Sequence, residues 1–141
     1  PLGGVFMKRS VARESAFLIV FERIFNNADL NEVIESAQQI RGLEVDDFTV
    51  KLVGGVADNL DKIDDLIQQN AKGWDISRLS KVVLVALRVA IYEMIFIESI
   101  PIRVSINEAV ELTKKYSTKE DSSFANGILR EIAKGLSTES E

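Results

Sequence analysis

The sequence predicts an all-α protein, and three observations carry that prediction. Apolar residues recur at three- and four-residue steps along most of the chain, the spacing of one helix face. Capping residues, glycines and a proline divide it into segments of roughly 10–18 residues, an ordinary helix length. No stretch alternates with period two between hairpin turns, and no repeat of 20–50 residues is visible, which argues against sheets and solenoids.

Helix one is expected from Arg9 to Phe25, with Ala12, Ala16, Ile19, Val20 and Ile24 on its apolar face and a break at Asn26-Asn27-Ala28. Asp29 with Glu32 reads as a reciprocal capping box for a second helix to about Ile40, closed by Gly42. From Asp46 towards Ala71 the residues Phe48, Leu52, Val53, Val56, Leu60, Ile63, Leu66 and Ile67 keep helical spacing. That run is too long for one helix, and a break is expected near Asp58-Asn59. Gly54-Gly55 lies inside the pattern, where each glycine costs about 1 kcal/mol against alanine, so a close helix crossing is expected there. A phosphate loop is disfavoured, because GxGxxG and GxxxxGK spacings are missing.

Trp74 follows Gly73 in a turn, and Ser77 or Ser80 can cap the very apolar segment to Ile97, the expected central helix. Pro101 stops it. Ser105 and Glu108 read as a second capping box, opening a helix that ends near Tyr116. A last helix is expected from Asp121 or Ser122 through Phe124, Ile128, Leu129 and Ile132 to Lys134. The architecture expected is six to seven helices in two packed helical bundles sharing one core. Residues 1–6 read as an expression-vector remnant ahead of an initiator at Met7, residues 7–135 as the helical domain, and residues 136–141 as a frayed acidic tail.

Composition bounds the chemistry. A chain of 141 residues, 46% hydrophobic and 28% charged, can build a genuine core. It has neither cysteine nor histidine. Disulfides, thiolate or imidazole zinc sites and Ser-His-Asp or Cys-His nucleophiles are thereby excluded, and no metal or cofactor is expected. Carboxylate pairs remain: Asp46-Asp47, Asp64-Asp65 and Glu120-Asp121. They read as caps and solvated faces, leaving no catalytic residue to name. The longest apolar run, Val82 to Ile97, carries Arg88 and Glu93 and falls short of the roughly 20 residues that span a bilayer. No membrane association is expected, and the cytoplasm is the expected compartment.

The net charge of −5 opposes nucleic-acid binding overall, so an RNA site must be local. Lys8, Arg9 and Arg13 form such a patch, with the two arginines four residues apart on one side of helix one, opposite the apolar stripe. Guanidinium groups suit RNA because they grip phosphate with two bonds and stack on unpaired bases. A solvated helix terminus is the alternative reading of the same residues.

Several blocks together resemble the NusB family: Ala12-Arg13-Glu14-Ser15-Ala16, Leu87-Arg88-Val89-Ala90-Ile91-Tyr92-Glu93, Ile100 to Leu112, and Phe124-Ala125-Asn126-Gly127-Ile128-Leu129. The resemblance covers roughly residues 8–135. It implies a two-bundle helical fold and a non-catalytic transcription antitermination factor. Such a factor binds single-stranded boxA-type RNA of nascent ribosomal RNA transcripts, paired with the ribosomal protein NusE in an RNA polymerase antitermination complex. Position by position, it assigns RNA contact to Lys8, Arg9, Arg13 and Phe124, and partner contact to Phe21. Phe124 and Phe21 read equally as core residues, and Asn126-Gly127 as a helix-packing pair. Both a monomer and a homodimer stay open for the free protein.

The sequence departs from the family pattern in carrying fewer arginines at its start, Val83-Leu84 in place of an acidic–basic pair, and Ser123 in place of a lysine. The first and third departures imply weak intrinsic RNA affinity, and the second bears on the partner surface. Two other readings remain: the helical RNA-binding module of a ribosomal RNA cytosine methyltransferase, and a structural helical adaptor.

Overall fold

The computed structural model describes residues 7–139, and among them lie seven α-helices, a single 3-10 turn and no strand. The helices are α1 Arg9–Phe25, α2 Leu30–Gln39, α3 Asp47–Asp58, α4 Leu60–Asn70, α5 Lys81–Phe96, α6 Ile102–Tyr116 and α7 Lys119–Glu139. The 3-10 turn, Ile76–Arg78, precedes α5. The chain divides into two compact units between Asp58 and Asn59, at the break expected from the overlong apolar run. Residues 1–6, with the expected vector remnant, and the last two residues of the expected acidic tail lie outside the described residues.

In the first unit α1 packs against α3 and α2. Ala12 and Ala16 are fully buried, and such small side chains let a neighbouring backbone approach. The buried Thr49 hydroxyl donates to the Ala12 carbonyl at 3.2 Å. Asp46 caps α3 by accepting from the Thr49 N–H at 2.8 Å, which fixes where that helix begins. Asp29 caps α2, but through the Asn31 N–H at 3.1 Å and not in the reciprocal pair with Glu32 that the spacing suggested. Gly42, with a positive φ of 68°, turns the chain after α2. The expected close crossing at Gly54 is not found: a Cβ there would meet nothing within 4 Å. The buried face of α3 includes Thr49, Leu52, Val53 and Val56, and Gly54 lies one position off that stripe.

In the second unit α5 is the central helix, packed by α4, α6 and α7. Ser80 caps it by accepting from the Val83 N–H at 3.1 Å, and its buried residues run from Val83 to Met94 on every side. Val83 and Leu84 are among them, so the departure at that pair alters the interior and not an exposed partner surface. Arg88 grips Asp64 of α4 with two bonds of 2.9 and 2.8 Å. Glu93 is 1% exposed and accepts from the Ser105 hydroxyl at 2.9 Å.

That last bond overturns one capping assignment. α6 begins at Ile102 behind Pro101, so Ser105 lies inside the helix with its hydroxyl committed to Glu93. α7 likewise begins earlier than expected, with the Thr118 hydroxyl accepting from the Asp121 N–H at 3.0 Å. It continues through Glu139, past Lys134 where the apolar pattern ends. No helix among the described residues is long and apolar enough to cross a membrane.

Candidate nucleic-acid interface

The basic end of α1 takes its geometry from α3. The Asp46–Thr49 cap sets the first turn of α3, and that turn carries Phe48, which is 8% exposed. The Arg9 guanidinium lies 3.9 Å from the centre of the Phe48 ring, and the Arg13 guanidinium lies 5.5 Å from the same centre. A cation over an aromatic face is attracted by the ring quadrupole, so Phe48 holds the Arg9 fork and draws the more distant Arg13 fork towards the same ring. Lys8, at the N-cap of α1, is exposed and makes no side-chain cap bond, and among the described residues the first turn holds no acid. Backbone N–H groups and the positive end of the helix dipole therefore coincide with three cations, a combination that attracts anions.

Arg13 does not lie opposite the apolar stripe as the spacing suggested. It is only 4% exposed. It sits beside Ala12 and one turn before Phe17, both buried, and it is buried as a whole, with its guanidinium 5.5 Å from the Phe48 ring centre. Arg9 is the exposed member of the pair. Phe21 is half-buried, between the buried Phe17 ring at 6.5 Å and the Phe25 ring at 5.4 Å, with Phe25 66% exposed. The three rings lead along α1 from the interior to the surface.

Phe124 belongs to the second unit and is half-buried on α7. Its ring meets that of Trp74 edge to face, with centres 5.8 Å apart and planes at 69°. Sequence reasoning assigns Trp74 no site, although a lone tryptophan after a glycine in a turn is a usable signal. Gln68 brackets its turn: Nε2 donates to the Trp74 carbonyl at 2.8 Å, and Oε1 accepts from the Ile76 N–H at 2.9 Å. Asp75 accepts from the Ser77 N–H and hydroxyl, and the backbone bond above all holds its carboxyl below the ordinary range. Gly127, one turn beyond Phe124, faces open space, since a Cβ there would meet nothing within 4 Å. The helix-packing role expected for this glycine is therefore absent.

The carboxylate pairs resolve into structural uses. Asp46 is a cap, Asp64 pairs with Arg88, and Asp121 accepts from the Ser117 hydroxyl in the first turn of α7. No group of three or more acidic side chains that could hold a metal ion occurs among the described residues.

An exposed arginine stacked on a ring beside an exposed lysine at a helix start, and a partly exposed aromatic pair, on a helical frame, define a class: a small helical protein with local surface chemistry that suits nucleic acid. The family model for NusB matches residues 10–134, and the chain belongs to the NusB family. The transcription antitermination protein NusB of Natranaerobius thermophilus is 42% identical over 135 residues, covering 92% of this chain and 97% of that protein. T. maritima NusB superposes with a TM-score of 0.81 at 35% identity, over 91% of this chain and 92% of that one. A chain from the crystal structure of the antitermination factors NusB and NusE in complex with double-stranded RNA gives a TM-score of 0.81 at 28% identity, over 90% and 96% of the two chains.

Proposed function

We propose that this protein is a non-catalytic transcription antitermination factor of the cytoplasm, which binds single-stranded boxA-type RNA together with NusE within an RNA polymerase antitermination complex. The observation that carries the RNA contact is the stacking of Arg9 on Phe48 at the uncapped start of α1, beside Lys8. A guanidinium already fixed on a ring loses less conformational freedom when it meets a phosphate or a base. Arg9 and Lys8 make the direct contacts, and Arg13, buried within 5.5 Å of the same ring centre, adds charge. Phe124 supplies a face for an unpaired base, and Phe21, with the exposed Phe25 beside it, supplies apolar contact to NusE.

Titration of a boxA-type RNA at several salt concentrations tests this reading. The Arg9→Ala protein should bind more weakly, and its log–log salt slope should fall by about 0.7 for each phosphate that is no longer neutralised. If Arg9 instead stacks on a base, the loss should be larger for boxA-type RNA than for a scrambled sequence, with less change in slope. A folded Arg9→Ala protein that binds both RNAs as well as the parent at every salt concentration would refute the assignment.

A further inference from the structure

The aromatic pair of the second unit has a member that packing does not explain. Trp74 is 52% exposed, although burying so large a ring is among the strongest stabilising options a fold has. Its turn is nevertheless tightly held, with the Trp74 N–H donating to the Ala71 carbonyl at 2.8 Å and Gln68 bonded on both sides. A large ring on a fixed backbone, with its edge contact to Phe124 made, is poised to receive a flat partner.

Gly127 is a second, independent sign. It stands inside α7, where glycine is unfavourable, and no neighbouring atom requires its small size. One turn from Phe124 on α7, it leaves bare backbone and empty space. Lys72, with its side chain 81% exposed, lies two residues before Trp74 and pairs loosely with Glu131 of α7 at 3.8 Å. The adjacent Asp75 carboxylate is turned onto the Ser77 N–H and hydroxyl and keeps its charge.

We infer that Trp74 is a nucleobase-stacking residue, whose ring face is a platform for an unpaired base of RNA, bordered by the Phe124 ring set edge-on to it and by the open backbone at Gly127. The inference rests on the RNA-binding reading above and adds a contact that reading lacks. Two rings are too small to form the apolar core of a protein interface, but they match the area of one or two bases. Stacking also tolerates sequence, because every base has a π-face.

The chain contains a single tryptophan, so its fluorescence reports this site alone. BoxA-type single-stranded RNA should quench that fluorescence saturably, and an abasic RNA of equal length should not. Trp74→Leu should weaken binding by at least about fivefold, in the range for removal of one stacked base. Its salt slope should stay unchanged, because every phosphate contact remains. Trp74→Phe should retain most of the affinity and controls for folding. Gly127→Ala should weaken binding while raising the melting temperature, a combination that a purely structural glycine would not give.

Parent-like affinity in Trp74→Leu overturns the platform, as does equal quenching by the abasic RNA. Weaker binding of the ribosomal protein by Trp74→Leu in the absence of RNA also overturns it, by showing a protein contact instead. Reduced affinity in Arg9→Ala and Phe124→Leu but not in Trp74→Leu removes the platform alone. Parent-like affinity in all three variants removes the RNA-binding reading with it.

Discussion

Arg9 and Arg13 carry the same charge one helical turn apart on α1, yet burial gives them different work. Among the described residues the exposed Arg9 is tied to the fold by its ring contact, whereas Arg13 is itself buried. Arg13→Ala should therefore destabilise the protein by about 1–3 kcal/mol, through poorer packing and a cavity, while Arg9→Ala should shift stability by less than about 1 kcal/mol. Urea denaturation of the two variants checks this, and equal midpoints would show that the stem of Arg13 is not part of the core. Ser105 offers a second case at this scale. Removing its hydroxyl leaves the buried Glu93 short of a donor, and Ser105→Ala should cost about 1–3 kcal/mol.

Where each helix begins and ends was legible when the signal was local. The α1 pattern ended at a pair of asparagines, the split between α3 and α4 followed from length, and Ser80 opened an unbroken apolar segment; all three appear as expected. The start of α6 was misread for a physical reason. Ser105 and Glu108 have capping-box spacing, but the hydroxyl is taken by Glu93, twelve positions back in the chain, and only the folded structure brings the two together. The same limit hid the burial of Arg13, which depends on Phe48 from another helix, and the Trp74–Phe124 contact, which joins a turn to α7. Basic residues and aromatics could be seen in the sequence, but the pairs they form could not. At α7 the cap is Thr118, three residues before its partner Asp121, and the neighbouring Asp121 and Ser122 masked that spacing. Thr118→Ala should lower stability by about 1 kcal/mol. Hydrogen exchange should then show weaker protection confined to the first turn of α7, and a uniform change would point to a wider role for Thr118.

At the scale of the whole molecule the chain carries a net charge of −5, and its proposed phosphate contacts number only a few. Long-range attraction to RNA is therefore weak, and the local patch must act within about a Debye length, roughly 8 Å at physiological salt. A partner that adds contacts to the same RNA, or that holds this protein in its binding-competent form, compensates for the deficit. Linkage then constrains both titrations. If NusE raises the affinity of this protein for boxA-type RNA by some factor, RNA must raise the affinity of the protein for NusE by that same factor. Typical couplings of about 1–3 kcal/mol correspond to factors of about 5–150, well within reach of direct titration. Phe21→Ala should weaken the binary complex with NusE, and should weaken RNA binding only when NusE is present. Arg9→Ala should weaken RNA binding in both settings while leaving the binary protein complex intact. Equal RNA affinity with and without NusE would eliminate cooperative assembly. Weaker RNA binding by Phe21→Ala in the absence of NusE would place that ring on the RNA, or in the fold, and not on the partner.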